Sequence, residues 1–81
     1  MLTDGKYRYK IELVTTSDIA AFNRIAEQCR GNVTIVSGPD GRHRLSARSF
    51  LGVHLARLTW NDVYVETDFD CYHDFARFIC S

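Results

Sequence analysis

The chain has 81 residues, of which 46% are hydrophobic and 25% are charged. This is enough for one hydrophobic core and too little for two, so a single domain over residues 1–81 is expected. Ten basic residues balance ten acidic ones, and no stretch is rich in Lys or Arg, which argues against a nucleic-acid partner. No apolar stretch approaches the roughly 20 residues of a membrane span, and the first ten residues lack the apolar core of a signal peptide. A cytoplasmic protein without a membrane partner is therefore predicted.

The cysteines are the first residues to consider for special chemistry. Cys29, Cys71 and Cys80 are odd in number and share no C-x-x-C spacing. A disulfide framework or a zinc site needs closely spaced pairs. Reduced and mostly buried thiols are predicted instead, with no metal and no cofactor.

A strand and a helix are predicted at the start of the chain. Over residues 6–14 apolar and aromatic side chains alternate with charged ones, which predicts a strand with one wet face. Thr16 or Ser17 then offers a hydroxyl to cap a helix. Gly31 fits the position just after that helix, where a positive φ costs glycine little. The predicted inward residues are Tyr7, Tyr9, Ile11 and Leu13 on the strand, and Ile19, Phe22, Ile25, Ala26 and Cys29 on the helix.

A β-hairpin is predicted next. Two short strands flank the sequence Ser-Gly-Pro-Asp-Gly, in which Pro39 presets the turn and Gly41 supplies a left-handed residue. On the second strand alternate residues point to opposite faces. His43, Leu45 and Ala47 are expected on one face, and Arg42, Arg44 and Ser46 on the other.

Two further helices surround a last strand. Ser49 predicts the start of the middle helix, because its hydroxyl can cap the amides of residues whose apolar positions follow a period near 3.6. Residues 61–68 predict a strand with its valines facing inward. The final helix is expected to begin near Asp70, with Asp68 or Asp70 as its cap. Its shared face is expected to carry Cys71, Phe75, Phe78 and Ile79.

The predicted order is βαββαβα. Every strand has one polar face, so three helices should cover the other face of one antiparallel sheet, giving a two-layer α+β open-faced sandwich. Two fold families share this order: the ferredoxin-like plate, which serves ligand-binding and RNA-binding modules, and the phosphocarrier fold with an additional C-terminal helix. An RNA-binding module would stack bases on exposed aromatics of its central strands. The segment from Arg42 to Ala47 offers none.

Residues 46–66 distinguish the two families. This segment contains Ser-Ala-Arg-Ser at 46–49, an apolar helix pattern at 50–58, a turn at 59–62 and a Val-rich strand. In this order and without a gap, it resembles the histidine-containing phosphocarrier protein (HPr) of the bacterial sugar phosphotransferase system. Residues 19–31 are similar to the first helix of that family. The resemblance implies a four-stranded antiparallel sheet of order 1-4-2-3. A ferredoxin-like small-molecule-binding regulatory domain is the alternative, and it would place the first and third strands together at the centre.

The phosphoryl-accepting site of the family is missing. The family carries Gly-Leu/Ile-His-x-Arg-Pro at the N-terminus of its first helix, whereas residues 13–22 contain neither a histidine nor Arg-Pro. Asp18 lies in the first turn, where its charge would repel a phosphate. His43, His54 and His73 belong to other elements. A protein that is not an enzyme and does not carry phosphate on histidine is therefore predicted.

The residues of interest that remain lie at the start of the middle helix. The resemblance implies that Phe50 and Leu51 belong to an exposed apolar patch that docks partner proteins, with His54 beside it, and that Ser49 is a site of regulatory phosphorylation. Each has an ordinary structural explanation as well. Ser49 can be a plain helix cap. Leu51, Leu55 and Leu58 can form a buried i, i+4, i+7 stripe, which Phe50 covers at its edge.

Overall fold

The structure, a computed structural model, describes residues 2–3, 6–38 and 42–80, with the backbone alone at residues 2, 3 and 6. These residues form five strands and three helices whose order contains the predicted βαββαβα sequence. The elements are β1 (Leu2–Thr3), β2 (Lys6–Ile11), α1 (Thr16–Gln28), β3 (Val33–Ser37), β4 (Arg44–Ser46), α2 (Phe50–Thr59), β5 (Val63–Thr67) and α3 (Tyr72–Phe75).

The sheet is antiparallel, with the order β1-β2-β5-β3-β4. Its four predicted strands therefore lie in the order 1-4-2-3, which confirms that prediction. The ferredoxin-like order would place the first and third predicted strands, β2 and β4, side by side. It is not found, because β5 and β3 lie between them. The short strand β1 was not predicted. Two residues are too few to show an alternating pattern, and β1 pairs only through Leu2 with Tyr7 and Thr3 with Lys6.

The helices pack onto one face of the sheet. Tyr9, Val65 and Ile35 lie opposite one another on three neighbouring strands, so they share this face. All three helices contribute to the same core, and the Phe22 ring of α1 lies 4.9 Å from the Phe75 ring of α3. The buried cluster comprises Ile11, Leu13, Ile19, Phe22, Ala26, Val33, Ile35, Ala47, Val53, Ala56, Val65, Cys71, Phe75 and Phe78.

The first helix begins and ends differently from the prediction. Its N-cap is Thr15, rather than Thr16 or Ser17, because Thr15 and Asp18 form a reciprocal capping box. Cys29 ends the helix with a φ of −72°. Among the described glycines a positive φ occurs at Gly38 (61°) and not at Gly31. Gly31 is required for space instead, since a Cβ there would lie 2.5 Å from Cδ1 of Phe69.

The end of the chain is less helical than predicted. The last helix spans only Tyr72–Phe75, and its N-cap is Cys71 rather than Asp68 or Asp70. Ile79 then pairs with Ile11 in an isolated antiparallel bridge. This pairing uses backbone amides and carbonyls that a longer helix would need for its own hydrogen bonds. The first long strand also ends at Ile11 instead of Val14. The next residue, Glu12, donates its amide to the Phe78 carbonyl of the C-terminal segment.

The predicted hairpin is confirmed. Ile35 pairs with Leu45 and Val36 with Arg44 across β3 and β4. Leu45 is half-buried against the core, whereas Arg44 is exposed, as the alternation predicted. Pro39 and Gly41 lie outside the described residues. The three cysteines are free, and burial is the main cause that raises the pKa of the Cys29 and Cys71 thiols.

Candidate functional site

Ser49 begins the second helix. Its hydroxyl accepts a hydrogen bond from the Gly52 amide at 3.1 Å, and its backbone is extended, with φ −86° and ψ 108°. The side chain is exposed. A Cβ at Gly52 would lie 3.2 Å from the Ser49 hydroxyl oxygen, so the small residue leaves room for the cap. The prediction that Ser49 is the N-cap is confirmed.

The large apolar side chains of α2 point to solvent. Leu51, Leu55 and Leu58 are 78%, 56% and 63% exposed, and Phe50 is 44% exposed. Of the two alternatives, the buried leucine stripe is therefore wrong, and Phe50 and Leu51 are exposed as the other alternative required. The helix buries its small residues instead, since Val53 and Ala56 have at most 1% of their surface exposed. Small side chains on the inner side let α2 lie close to its neighbours and leave the leucines outside.

His54 lies beside this stripe. It is half-buried, and its ring is nearly parallel to that of Phe50, with the centroids 6.4 Å apart. Among the described residues no group hydrogen-bonds its buried Nδ1 atom. Because residues four apart lie on the same side of a helix, His54 borders the exposed stripe. We call the surface formed by Phe50, Leu51, His54, Leu55 and Leu58 the apolar face of α2.

Arginines fix both ends of α2 to the backbone around α1. Before the first turn of α2, the Arg48 guanidinium donates to the carbonyl oxygens of Cys29 at 2.7 Å and Gly31 at 3.0 Å. In the last turn, Arg57 Nε donates to the Leu13 carbonyl at 2.7 Å, and the guanidinium also bonds to the Val14 carbonyl. The start of α2 thus lies at the end of α1, and its end lies at the start of α1. The two helices run antiparallel side by side.

The amides at the start of α1 already have an anionic partner. One Asp18 carboxylate oxygen accepts hydrogen bonds from the Val14 amide at 3.0 Å and the Thr15 amide at 3.2 Å. Both amides precede the first helical residue, Thr16. The three histidines lie elsewhere: His43 precedes β4, His54 is on α2 and His73 is on α3. That Asp18 would repel a bound phosphate stays a prediction.

The open face of the sheet carries an ion cluster. Glu66 is 4% exposed and accepts hydrogen bonds from Arg8, with Nε at 3.0 Å, and from Arg44. Burial alone would raise the pKa of the Glu66 carboxyl, but the two arginines outweigh burial and hold the pKa below its ordinary value. The carboxylate of β5 thus bonds to an arginine of β2 and to an arginine of β4. It is suited to holding the sheet together and not to proton transfer.

A shallow cleft lies between the hairpin turn and the end of α2. Its volume is about 820 Å³, and its walls include His43 and Trp60, whose ring centroids are 6.3 Å apart. Two of its charged side chains are already in ion pairs, Arg44 with Glu66 and Asp62 with Lys10. The cleft therefore offers a ligand fewer unpaired charges than its composition suggests.

Other reactive groups do not converge. Cys71 is buried and His73, two positions later, is exposed, so their side chains point in different directions. Within the part of the chain that the structure describes, no three His, Cys, Asp or Glu side chains gather as a metal-binding group. No helix among the described residues has the length and apolarity needed to cross a membrane.

Sequence reasoning found only part of the apolar face. It named Phe50, Leu51 and His54, and it considered Leu55 and Leu58 only in the alternative of a buried stripe. The pair of small residues, Val53 and Ala56, was the signal available for the inner side. Comparison with known proteins adds no relative: no family profile, no curated protein and no solved structure matches this chain.

Proposed function

We propose that this chain is a non-catalytic, HPr-like module that binds a protein partner in the cytoplasm through the apolar face of α2. The partner is a protein of the sugar phosphotransferase system or one of its regulators. The single observation that carries the proposal is the exposure of four large apolar side chains on one ten-residue helix. The resemblance over residues 46–66 and the strand order 1-4-2-3 support the relation to HPr.

Exposure on this scale has a cost in water. A single exposed leucine is ordinary, because much of any protein surface is apolar. A contiguous group of large apolar side chains is less common and marks sites where another molecule binds. Leu51, Leu55 and Leu58 follow one another at helical spacing, so a partner can bury all three at once. Each Å² of apolar surface removed from water contributes about 25 cal/mol.

The same structure favours binding over phosphoryl transfer. The Asp18 carboxylate lies at the N-terminus of α1 and accepts from the Val14 and Thr15 amides, so its negative charge opposes an incoming phosphate there. No histidine lies within the first turn of α1. Regulation at Ser49 belongs to the proposal too, since this exposed hydroxyl lies directly beside Phe50 of the apolar face. A phosphate there would be stabilised by the helix N-terminus.

Site-specific photo-crosslinking tests the proposal. A benzophenone amino acid replaces Leu51 in one version of the protein and, in a matched control, Lys10 on β2, whose side chain is 49% exposed. Crosslinking in cells that make the protein is expected to capture one partner far more strongly from position 51. The general phosphotransferase enzyme is the first purified candidate to examine directly.

Affinity measurements with the captured partner decide the outcome. With labelled protein at nanomolar concentration, Leu51→Ser and Leu55→Ser are each expected to weaken binding about tenfold, the effect of a residue near the centre of an interface. Lys10→Ser should change the affinity less than about twofold. Equal capture from positions 51 and 10, or unchanged affinity in both leucine variants, would show that the face does not bind the partner.

A further inference from the structure

Charge is divided unevenly along this neutral chain. Residues 42–61, which contain α2, include four arginines and no Asp or Glu. Residues 62–74 include five acidic residues and no Lys or Arg. Arg44, Asp62 and Glu66 are paired away from the helices. The charges that remain beside the helices are Arg48 and Arg57 at the ends of α2, and Asp68, Asp70 and Asp74 around α3, which Arg77 follows. A formal net charge of zero removes the general repulsion that keeps copies of a protein apart.

The acidic region also exposes an aromatic ring. Asp68, Asp70 and Asp74 are all exposed, and Tyr72 among them is 46% exposed. Asp70 accepts from the Tyr72 amide and Asp68 from the Asn32 amide, and both donors are neutral, so the carboxylates keep their charge. We call Asp68, Asp70, Tyr72 and Asp74 the acidic surface.

The two surfaces lie on opposite flanks of α1. Asn23 reaches towards α2, donating to the Arg48 carbonyl at 2.9 Å, while the adjacent Phe22 packs against Phe75 of α3. The leucines of α2 and Tyr72 are thus separated by α1. At the end of α1, Arg48 bonds to the Gly31 carbonyl beside Asp68, but no ion pair joins these two described residues. The two surfaces are free to meet between two molecules.

We propose that a second copy of this chain covers the apolar face of α2 with its acidic surface, in a head-to-tail contact. The inference rests on the proposed function of the face and names an occupant for it. Arg48 and Arg57 at the two ends of α2 bond to neutral carbonyls, so both positive charges remain available to carboxylates. Tyr72 of the second copy lies against the leucines, with Asp70 and Asp74 towards the arginines.

Charge favours this arrangement over a symmetric dimer. A two-fold contact of α2 with α2 brings arginines of both copies together and supplies no carboxylate. A head-to-tail contact pairs opposite charges at each junction and leaves one free surface at each end of the assembly. Four or five side chains cover less than the roughly 800 Å² per partner of a standard interface, so the contact is weak and reversible. A protein partner therefore competes with self-association for the same face.

Sedimentation velocity on the intact chain tests the contact. Concentrations from about 10 µM to about 1 mM suit an interface below the standard size. The average mass of the wild type is expected to rise with concentration in about 20 mM salt and to fall in about 500 mM salt, where the Debye length is short. A wild type that is monomeric throughout would overturn the inference.

Two variants locate the contact. Leu51→Glu disables the apolar face and keeps the acidic surface, whereas Asp74→Lys disables the acidic surface and keeps the apolar face. Each alone is expected to be monomeric, and an equal mixture is expected to form a 1:1 pair and nothing larger, because only one intact combination of surfaces remains. Circular dichroism verifies folding, and Leu51→Ser and Asp74→Asn replace any variant that unfolds.

The outcomes separate this inference from the proposed function. Self-association that survives Asp74→Lys, or a mixture that forms no pair, overturns the head-to-tail contact and leaves the partner capture from position 51 untouched. Conversely, equal capture from positions 51 and 10 removes the proposed partner while a concentration-dependent mass keeps the self-contact.

Discussion

Asn23 is the polar side chain that joins α1 to the start of α2, and its replacement gives a quantitative test of the packing. It is 9% exposed, and its Nδ2 donates to the carbonyls of Ala47 at 3.2 Å and Arg48 at 2.9 Å. Ala47 is fully buried. Asn23→Ala removes both donors and leaves two backbone acceptors unpaired, one of them out of reach of water.

The expected loss follows from those two bonds. A typical hydrogen bond contributes about 0.5–1.5 kcal/mol, and a buried acceptor left without a partner costs about 1–3 kcal/mol. The Ala47 carbonyl bears the larger cost, because the Arg48 carbonyl is only partly buried. A total of about 2–3 kcal/mol is a large part of the free energy of unfolding of a small domain. The melting temperature should fall by about 10–20 °C.

Urea unfolding measures this loss through the fluorescence of Trp60, the one tryptophan of the chain. Arg24→Ala is the matched control, since Arg24 is the exposed neighbour on the same helix and should change stability by less than about 0.5 kcal/mol. Asn23→Asp should be worse than Asn23→Ala, because it turns a carboxylate oxygen towards two carbonyl oxygens. If Asn23→Ala unfolds within about 0.5 kcal/mol of the wild type, the assigned contact between α1 and α2 is refuted.

Four further predictions concern other parts of the molecule. Gly31→Ala should cost about 1–3 kcal/mol in urea unfolding through overpacking, because its Cβ would meet Phe69; an unchanged midpoint would contradict the close approach. The two arginine partners of Glu66 outweigh its burial and hold the pKa of its carboxyl below the ordinary value. The stability that this carboxylate contributes is therefore present at neutral pH and is lost as the pH falls through its folded-state pKa. Glu66→Gln should flatten the acid side of the stability curve, and an equal acid loss in the variant would exclude this role. Incubation with the general phosphotransferase enzyme and phosphoenolpyruvate should leave the protein unlabelled, whereas acid-labile phosphate on His54 would overturn the non-catalytic assignment. If Ser49 keeps the regulatory role that the resemblance implies, the serine kinase of the HPr family and ATP will add one phosphate there by mass spectrometry; an unmodified Ser49 in a folded sample leaves it as a cap whose replacement by Ala costs about 1 kcal/mol.

Local patterns were sufficient for the strands and the faces that they bury. The alternation in β2 and β5 placed Tyr9, Ile11 and Val65 on one face, and the structure pairs Tyr9 with Val65 and Ile11 with Val63 across the two strands. Alternation shows which face a strand buries, because its period of two leaves only two choices. The order 1-4-2-3 required the resemblance over residues 46–66 as well.

Contacts between distant residues explain what local patterns missed. Gly31 looked like the residue that ends a helix, but its neighbour in space is Phe69, 38 positions along the chain. The last helix stops at Phe75 because Ile79 pairs with Ile11, a contact that no periodicity in the C-terminal segment encodes. A single-sequence pattern carries no information on such partners.

The sequence left the orientation of α2 open between two alternatives, and the reason bears on function. Six of the ten residues of this helix are large or medium apolar residues or alanine, spread around its circumference, so periodicity could not tell the inner side from the outer side. The structure buries Val53 and Ala56 and fixes the helix ends through Ser49, Arg48 and Arg57. None of these anchoring contacts uses a leucine side chain. Replacing the three exposed leucines by polar residues would therefore remove little of the free energy that holds α2 in place, and their presence is better explained by an apolar surface that binds another protein than by the stability of the fold.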